Sequence, residues 1–186
     1  HMTKELEIKV LNIDVEEIQE RILSLGGELI SIEKQVNTLL DNTEKPIKSY
    51  MDAYLRIRET KELLSNEEKI TLTLKKKLSN EALRENMEYN VNLEEKDTML
   101  EILRNLGFKV VEVGHKERKS YKLRNSRLDI DTWDERTYPY PYMEIEVESE
   151  RDLEELIDLL EIPRDNISRL SIVELQQKLR EGKDVK

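Results

Sequence analysis

Glu5, Glu7 and Lys9 alternate with Leu6, Ile8 and Val10 near the start of the chain. A period of two puts the charges on one face of a β-strand and the aliphatics on the other. The pattern returns repeatedly. Arg56 and Arg58 flank Ile57, and Lys75 and Lys77 share a face opposite Ile70, Leu72 and Leu74. Asp129 and Asp131 alternate with Leu128 and Ile130, and Glu144, Glu146 and Glu148 with Met143, Ile145 and Val147. Carboxylates thus gather at the two ends of the sequence and cations in its middle. If these strands share one sheet, its charged face can hold a divalent metal beside a polyanion. Oxygen-only ligands suit Mg²⁺ or Mn²⁺, with Glu5, Glu7, Glu144 and Glu146 as donors and Asp131 between them. Arg56, Arg58, Lys75, Lys77, Arg84, Lys116 and Arg118, with Lys9, supply Arg forks and Lys point charges for phosphate oxygens. Zinc does not fit: there is no cysteine, and His115 is the only histidine besides His1, which with Met2 reads as a cloning remnant.

A blander account exists for any one strand. A solvated sheet face also carries charges, and each cross-strand Glu–Lys pair contributes about 0.2–1 kcal/mol. Lys76 fits an edge strand protected by lysine. Against that account, confining so many like charges is costly without a bound counter-anion, which favours a polyanionic ligand. His115 reads as a strand-end surface residue. Trp133 and the alternating Tyr138, Tyr140 and Tyr142 could stack on a base, although such a run more often forms a stiff loop with half-buried rings.

Composition narrows the function further. At 186 residues the chain suits a single domain over 1–186. With 39% charged and 37% hydrophobic residues, its core must come from one-sided strands and helices. A net charge of −10 argues against a sequence-independent nucleic-acid binder. There is no apolar run of transmembrane length, no signal-peptide pattern and no Walker-type glycine loop. The expectation is a soluble, cytoplasmic protein, monomer or homodimer, whose partner is a small molecule rather than a nucleic acid or a membrane.

Strands are expected near 5–10, 29–40, 53–59, 69–77, 85–93, 108–121, 126–132 and 143–148, with loops at 42–51, 60–68, 78–83 and 132–142. Four helices position them. Asp14 caps the first, which ends at Gly26-Gly27; the second ends at Gly107; Ser149 caps the third, which Pro163 closes; Ser171 and Glu174 form a capping box for the last. Glu7 to Gly26 spans the same length as Glu88 to Gly107, and both stretches run from a charged strand through an amphipathic helix to Leu-Gly. A third strand-then-helix unit begins at Met143. The fold class is therefore α+β. Its strands are largely antiparallel, its helices lie on the apolar face, and its charged face either opens to solvent or curls into a barrel interior.

Taken in order, Glu5-x-Glu7-x-Lys9, Arg56-x-Arg58, Lys75-x-Lys77, Lys116-x-Arg118, Asp131 and Glu144-x-Glu146 resemble the CYTH superfamily, the triphosphate tunnel metalloenzymes. The likeness is greatest to the branch of class IV adenylyl cyclases and thiamine triphosphatases. It implies an eight-stranded antiparallel barrel around a charged tunnel. It also implies Glu5, Glu7, Glu144 and Glu146 as metal ligands assisted by Asp131, and Lys9, Arg56, Arg58, Lys75, Lys77 and Arg118 as triphosphate ligands. Glu7, Lys9 and Asp131 would then carry the catalysis. The activities implied are a triphosphatase first and an adenylyl cyclase second, with a non-catalytic polyphosphate- or nucleotide-binding module as a third possibility. Two positions depart from the family pattern: Arg84-x-Asn86-x-Glu88 has an amide where a carboxylate is usual, and Leu40 replaces the aromatic usual before Asp41.

Overall fold

The computed structural model of the chain describes residues 1–81 and 83–183. Eight strands, β1 (Met2–Val10), β2 (Glu28–Asn42), β3 (Ala53–Glu62), β4 (Glu68–Asn80), β5 (Arg84–Leu93), β6 (Phe108–Leu123), β7 (Ser126–Trp133) and β8 (Tyr142–Val147), lie in the order β5-β4-β3-β2-β6-β7-β8-β1. Every pairing is antiparallel, and β1 pairs with β8 on one side and β5 on the other. The barrel is closed. A two-residue strand, β9 (Ile167–Ser168), adds to the Lys9 end of β1.

Alternation decides which way the barrel faces. The charged parity points inward and the aliphatic parity outward, so the apolar core lies between the barrel wall and its helices. Helix α1 (Val15–Ser24) buries Ile18 and Ile22, and α4 (Glu150–Leu159) buries Leu153, Leu156 and Ile157, against Ile8, Leu128, Met143 and Ile145. Helix α3 (Asp97–Asn105) buries Leu100 and Leu103 against Leu40, Leu55 and Ile57. Asp14, Ser149 and Ser171 each cap a helix as their sequence context predicts, the last in a full capping box at α5 (Ile172–Arg180). The predicted duplication appears in backbone detail. Gly26 and Gly107 end α1 and α3 with φ of +89° and +91°, a left-handed conformation that glycine adopts without a Cβ penalty.

Three local differences from the sequence reading have short-range causes. The stretch 42–51 contains a helix, α2 (Ile47–Met51), nucleated where Asp41 Oδ1 accepts from the Ile47 amide; five residues are too few to show a helical period. The β3–β4 hairpin is tighter than the 60–68 loop expected, since its strands run to Glu62 and from Glu68. In the 132–142 segment Tyr138 and Tyr142 are each 1% exposed, packed with Leu11 and Leu175 rather than displayed.

Candidate functional site

The barrel interior is a cavity lined by charged residues from β1, β3, β4, β5, β6, β7 and β8, with α5 across one end. Its carboxylate wall comes from β1, β5 and β8. In this wall Glu7 lies opposite Glu146 and Glu5 opposite Asn86. Burial, together with the charges of Glu5 and Glu7, pushes the Glu146 carboxyl up to about 7. Burial and the neighbouring Glu88 raise Glu5 to about 7 against the pull of Lys75. Glu144 behaves oppositely: although burial opposes ionisation, Lys9 and Arg118 hold it well below the usual range.

Asn86 does more than omit a charge. It is fully buried, donates from Nδ2 to Glu7 Oε1 at 2.9 Å, and accepts from Arg84 Nε at 3.1 Å. A carboxylate there would face Glu7 as a like charge. The amide instead fixes Glu7 and links it to Arg84.

The cation wall comes from β3 and β6. Arg118 forks Asp131 with bonds of 2.7 and 2.8 Å, and its guanidinium also lies 3.3 Å from Asp129 and 3.5 Å from Glu144. Lys116 Nζ stands 3.1 Å from Asp131 and 4.7 Å from the centre of the Trp133 ring; burial and Arg118 lower its pKa to about 7. Arg58 Nε donates to Asn37 at 2.7 Å, but among the described residues no carboxylate lies within salt-bridge distance of it. Burial, then Arg56 and Arg118, lower its pKa to about 9. Arg56 is 3.8 Å from Glu88, and its buried Nε has no partner. In this wall Arg58 has no carboxylate partner and the buried Arg56 Nε is an unpartnered donor. Both features suit a bound anion.

Most of the predicted site residues converge here: Glu5, Glu7, Lys9, Arg56, Arg58, Lys75, Arg84, Lys116, Arg118, Glu144 and Glu146 all line the cavity. Two take other positions. Lys77 turns away to pair with Asp52 at 3.2 Å, beside the irregularity between Lys77 and Ser79. Asp131, expected among the metal ligands, is fully buried, with Oδ1 accepting from Arg118 and Oδ2 from Arg118 and Lys116, so both its oxygens already hold cations in place. Its neighbour Asp129, opposite Glu144 in the sheet, is the β7 carboxylate that lines the cavity.

Other lining residues carried no sequence signal of their own. Asn37 and Tyr54 are uncharged, and Glu112 is a single acid in a mixed strand. The docking of α5 was also not legible. Lys9 Nζ donates to Leu170 O, Arg84 pairs with Glu174 at 2.8 Å, and Gln176 donates to Glu112 and to Thr137 O. Gly114 permits this arrangement, since a Cβ there would fall 2.9 Å from the Trp133 ring and 3.0 Å from Thr137.

The sequence matches the CYTH domain over residues 3–171. The chain belongs to the CYTH family. CYTH proteins are enzymes, adenylyl cyclases and triphosphatases among them, and the family is one of metal-dependent tunnels. A Methanocaldococcus jannaschii protein named "Putative adenylate cyclase" is 28% identical over 178 residues, which cover 92% of this chain and 98% of that one. The solved structure of the PH1012 protein from Pyrococcus horikoshii superposes with a TM-score of 0.76 at 23% identity, covering 91% of this chain and 98% of the other. A Hippeastrum protein, described as a "putative adenylyl cyclase" that "reveals a dominant" triphosphatase activity, superposes at 0.67 with 18% identity and 97% coverage of both chains. The two structural likenesses show the shared CYTH fold. Helix α5 lies beyond the CYTH-matched residues yet contributes Ile172, Val173 and Gln176 to the cavity.

The donors of this CYTH tunnel fit a hard divalent cation. All are carboxylate oxygens, and Glu5 Oε2 is buried with no hydrogen bond directed at it. As they stand, no three acidic or histidine side chains among the described residues are gathered to hold a metal ion. The Lys75 ammonium spans Glu5 and Glu7 instead, 3.1 Å from each. No helix among the described residues is long and apolar enough to cross a membrane.

Proposed function

We propose that this chain is a metal-dependent triphosphatase that binds a triphosphate in its tunnel and hydrolyses a phosphoanhydride bond. The observation that carries this reading is the pair of arginines on β3, Arg58 without a carboxylate partner and Arg56 with an unpartnered Nε, facing a wall of carboxylates. Glu5, Glu7, Glu144 and Glu146 would hold Mg²⁺ or Mn²⁺, which when bound neutralises phosphate charge and polarises the scissile phosphoryl group. Arg56, Arg58, Lys116 and Arg118 stabilise charge on the equatorial oxygens as a water oxygen bonds to phosphorus and the bridging P–O bond breaks. Lys9, tethered to Leu170 O, presents its charge at the α5 end, and Asp131 keeps Arg118 and Lys116 in place. The products are orthophosphate and the shortened phosphate chain.

The second reading is an adenylyl cyclase, in which a ribose 3′-hydroxyl attacks the α-phosphorus and pyrophosphate leaves. The name of the Methanocaldococcus relative favours it. Against it, Tyr138 is a core residue, and Trp133 and Tyr142, which line the cavity, are tied together by the Trp133 indole N–H at 2.8 Å. Purified protein assayed with tripolyphosphate, ATP and thiamine triphosphate, in Mg²⁺ and in Mn²⁺, separates the readings. Tripolyphosphate should be cleaved at least as fast as ATP, with orthophosphate exceeding cyclic AMP. Stoichiometric pyrophosphate and cyclic AMP from ATP would promote the cyclase.

Arg58→Ala should weaken tripolyphosphate binding by about one to two orders of magnitude, the equivalent of a lost charge-assisted contact of about 1.5–3 kcal/mol. Titration calorimetry measures this directly. An unchanged dissociation constant would place the anion away from β3.

A further inference from the structure

Lys75 stands on β4 between the two walls. Its backbone partner on one side is Glu88 of β5, and on the other Tyr54 of β3, two residues before Arg56. Its four-carbon stem therefore starts midway between the carboxylates and the arginines. In this structure the ammonium has gone to the carboxylates, at 3.1 Å from Glu5 Oε2 and from Glu7 Oε1, with a side chain only 12% exposed. The contact with Glu5 Oε2 is electrostatic, because that oxygen receives no directed hydrogen bond. No other lysine or arginine among the described residues lies within salt-bridge distance of Glu5 or Glu7.

We propose that Lys75 is an internal counter-ion that competes with the divalent cation for Glu5 and Glu7 and passes to the triphosphate when the cation binds. The proposal rests on the reading of the two walls given above. A divalent ion on Glu5 and Glu7 would put two like charges in contact if the ammonium stayed. The stem lets it swing toward Arg56, whose like charge opposes its arrival unless an anion is present. Metal and triphosphate therefore bind as a linked pair: each lowers the cost of the other, and neither binds tightly alone. A tunnel so arranged stays charge-compensated without its ligands and does not hoard free divalent ions.

The test uses no substrate. Free Mn²⁺ is followed by electron paramagnetic resonance during titration of anion-free wild-type protein, Lys75→Met and Lys77→Met. Lys75→Met should bind Mn²⁺ at least about tenfold more tightly than wild type, since its competitor is gone. Lys77→Met, whose lysine pairs with Asp52, should match wild type. Equal or weaker binding by Lys75→Met overturns the proposal, and so does equal tightening by Lys77→Met, which would mark a general charge effect. A second measurement covers the case in which Lys75→Met does not fold. In wild-type protein labelled at lysine nitrogen, Mg²⁺ should move the Lys75 ammonium resonance and leave that of Lys77 in place. A Lys75 signal unmoved at saturating Mg²⁺ also overturns it. Tripolyphosphate turnover by the wild type, measured separately, tests the proposed function independently of this competition.

Discussion

Arg118→Ala should lower the melting temperature by on the order of 10 °C and remove measurable tripolyphosphate binding. One guanidinium here serves Asp129, Asp131 and Glu144, whose side chains are 4%, 0% and 16% exposed. Removing one partner of a buried ion pair costs about 3–5 kcal/mol, because the other charge remains buried and uncompensated. For a domain of this size each kcal/mol shifts the transition by about 2–4 °C. Scanning calorimetry of Arg118→Ala, Arg118→Lys and Arg118→Ala/Asp131→Asn checks the cause. Lysine restores the charge but not the fork, so it should recover only part of the loss. The double variant should recover more stability than the lysine and still bind no anion. A melting temperature for Arg118→Ala within about 2 °C of wild type would mean that the carboxylates find other partners.

Glu7→Ala should reduce metal-dependent turnover by at least about 10³-fold, the equivalent of about 4 kcal/mol of transition-state stabilisation. The fold should survive. Glu7 contributes no apolar packing, and its loss leaves the Asn86 amide without its acceptor, at about 1–3 kcal/mol. Orthophosphate release at saturating Mg²⁺, set beside the melting curve, separates the two effects. Full activity would remove β1 from the reacting centre, and a collapse in stability would show that Glu7 serves the fold.

Strand parity is a local property, and it was legible throughout: period two assigned inward and outward faces before any strand had a partner. Cross-strand register is not local, and that is where the sequence reading strayed. Asp129 and Asp131 share a face and cannot be told apart by alternation. What separates them is that Arg118 lies opposite Asp131 on β6, so its fork closes on that carboxylate. Lys77 has the right parity, but the irregularity beside it and Asp52, at a φ of +49°, draw its ammonium out of the cavity. Asn86 reads in sequence as a missing charge; only its contacts with Glu7 and Arg84 show it as a link. The amphipathic pattern of α5 announced a helix and its cap, but the carboxamide of Gln176 and the carboxylate of Glu174 find their partners some 40–90 residues away.

The double pairing of β1 also governs how the chain must be assembled. Its neighbours are residues 84–89 of β5 and 143–147 of β8, so the barrel cannot close until nearly all of it exists. At translation rates of about 5–20 residues per second, β1 waits roughly 7–30 s for β8 to be made. Contacts of such sequence separation also make closure slow afterwards. Until β5 is made β1 has both edges unpaired, and until β8 follows it keeps one open, the condition in which strands of different molecules add to one another. Glu5, Glu7 and Lys9 make such addition costly, because an incoming strand would have to bury or oppose their charges. The residues that line the tunnel at the end of folding are gatekeepers against aggregation before it.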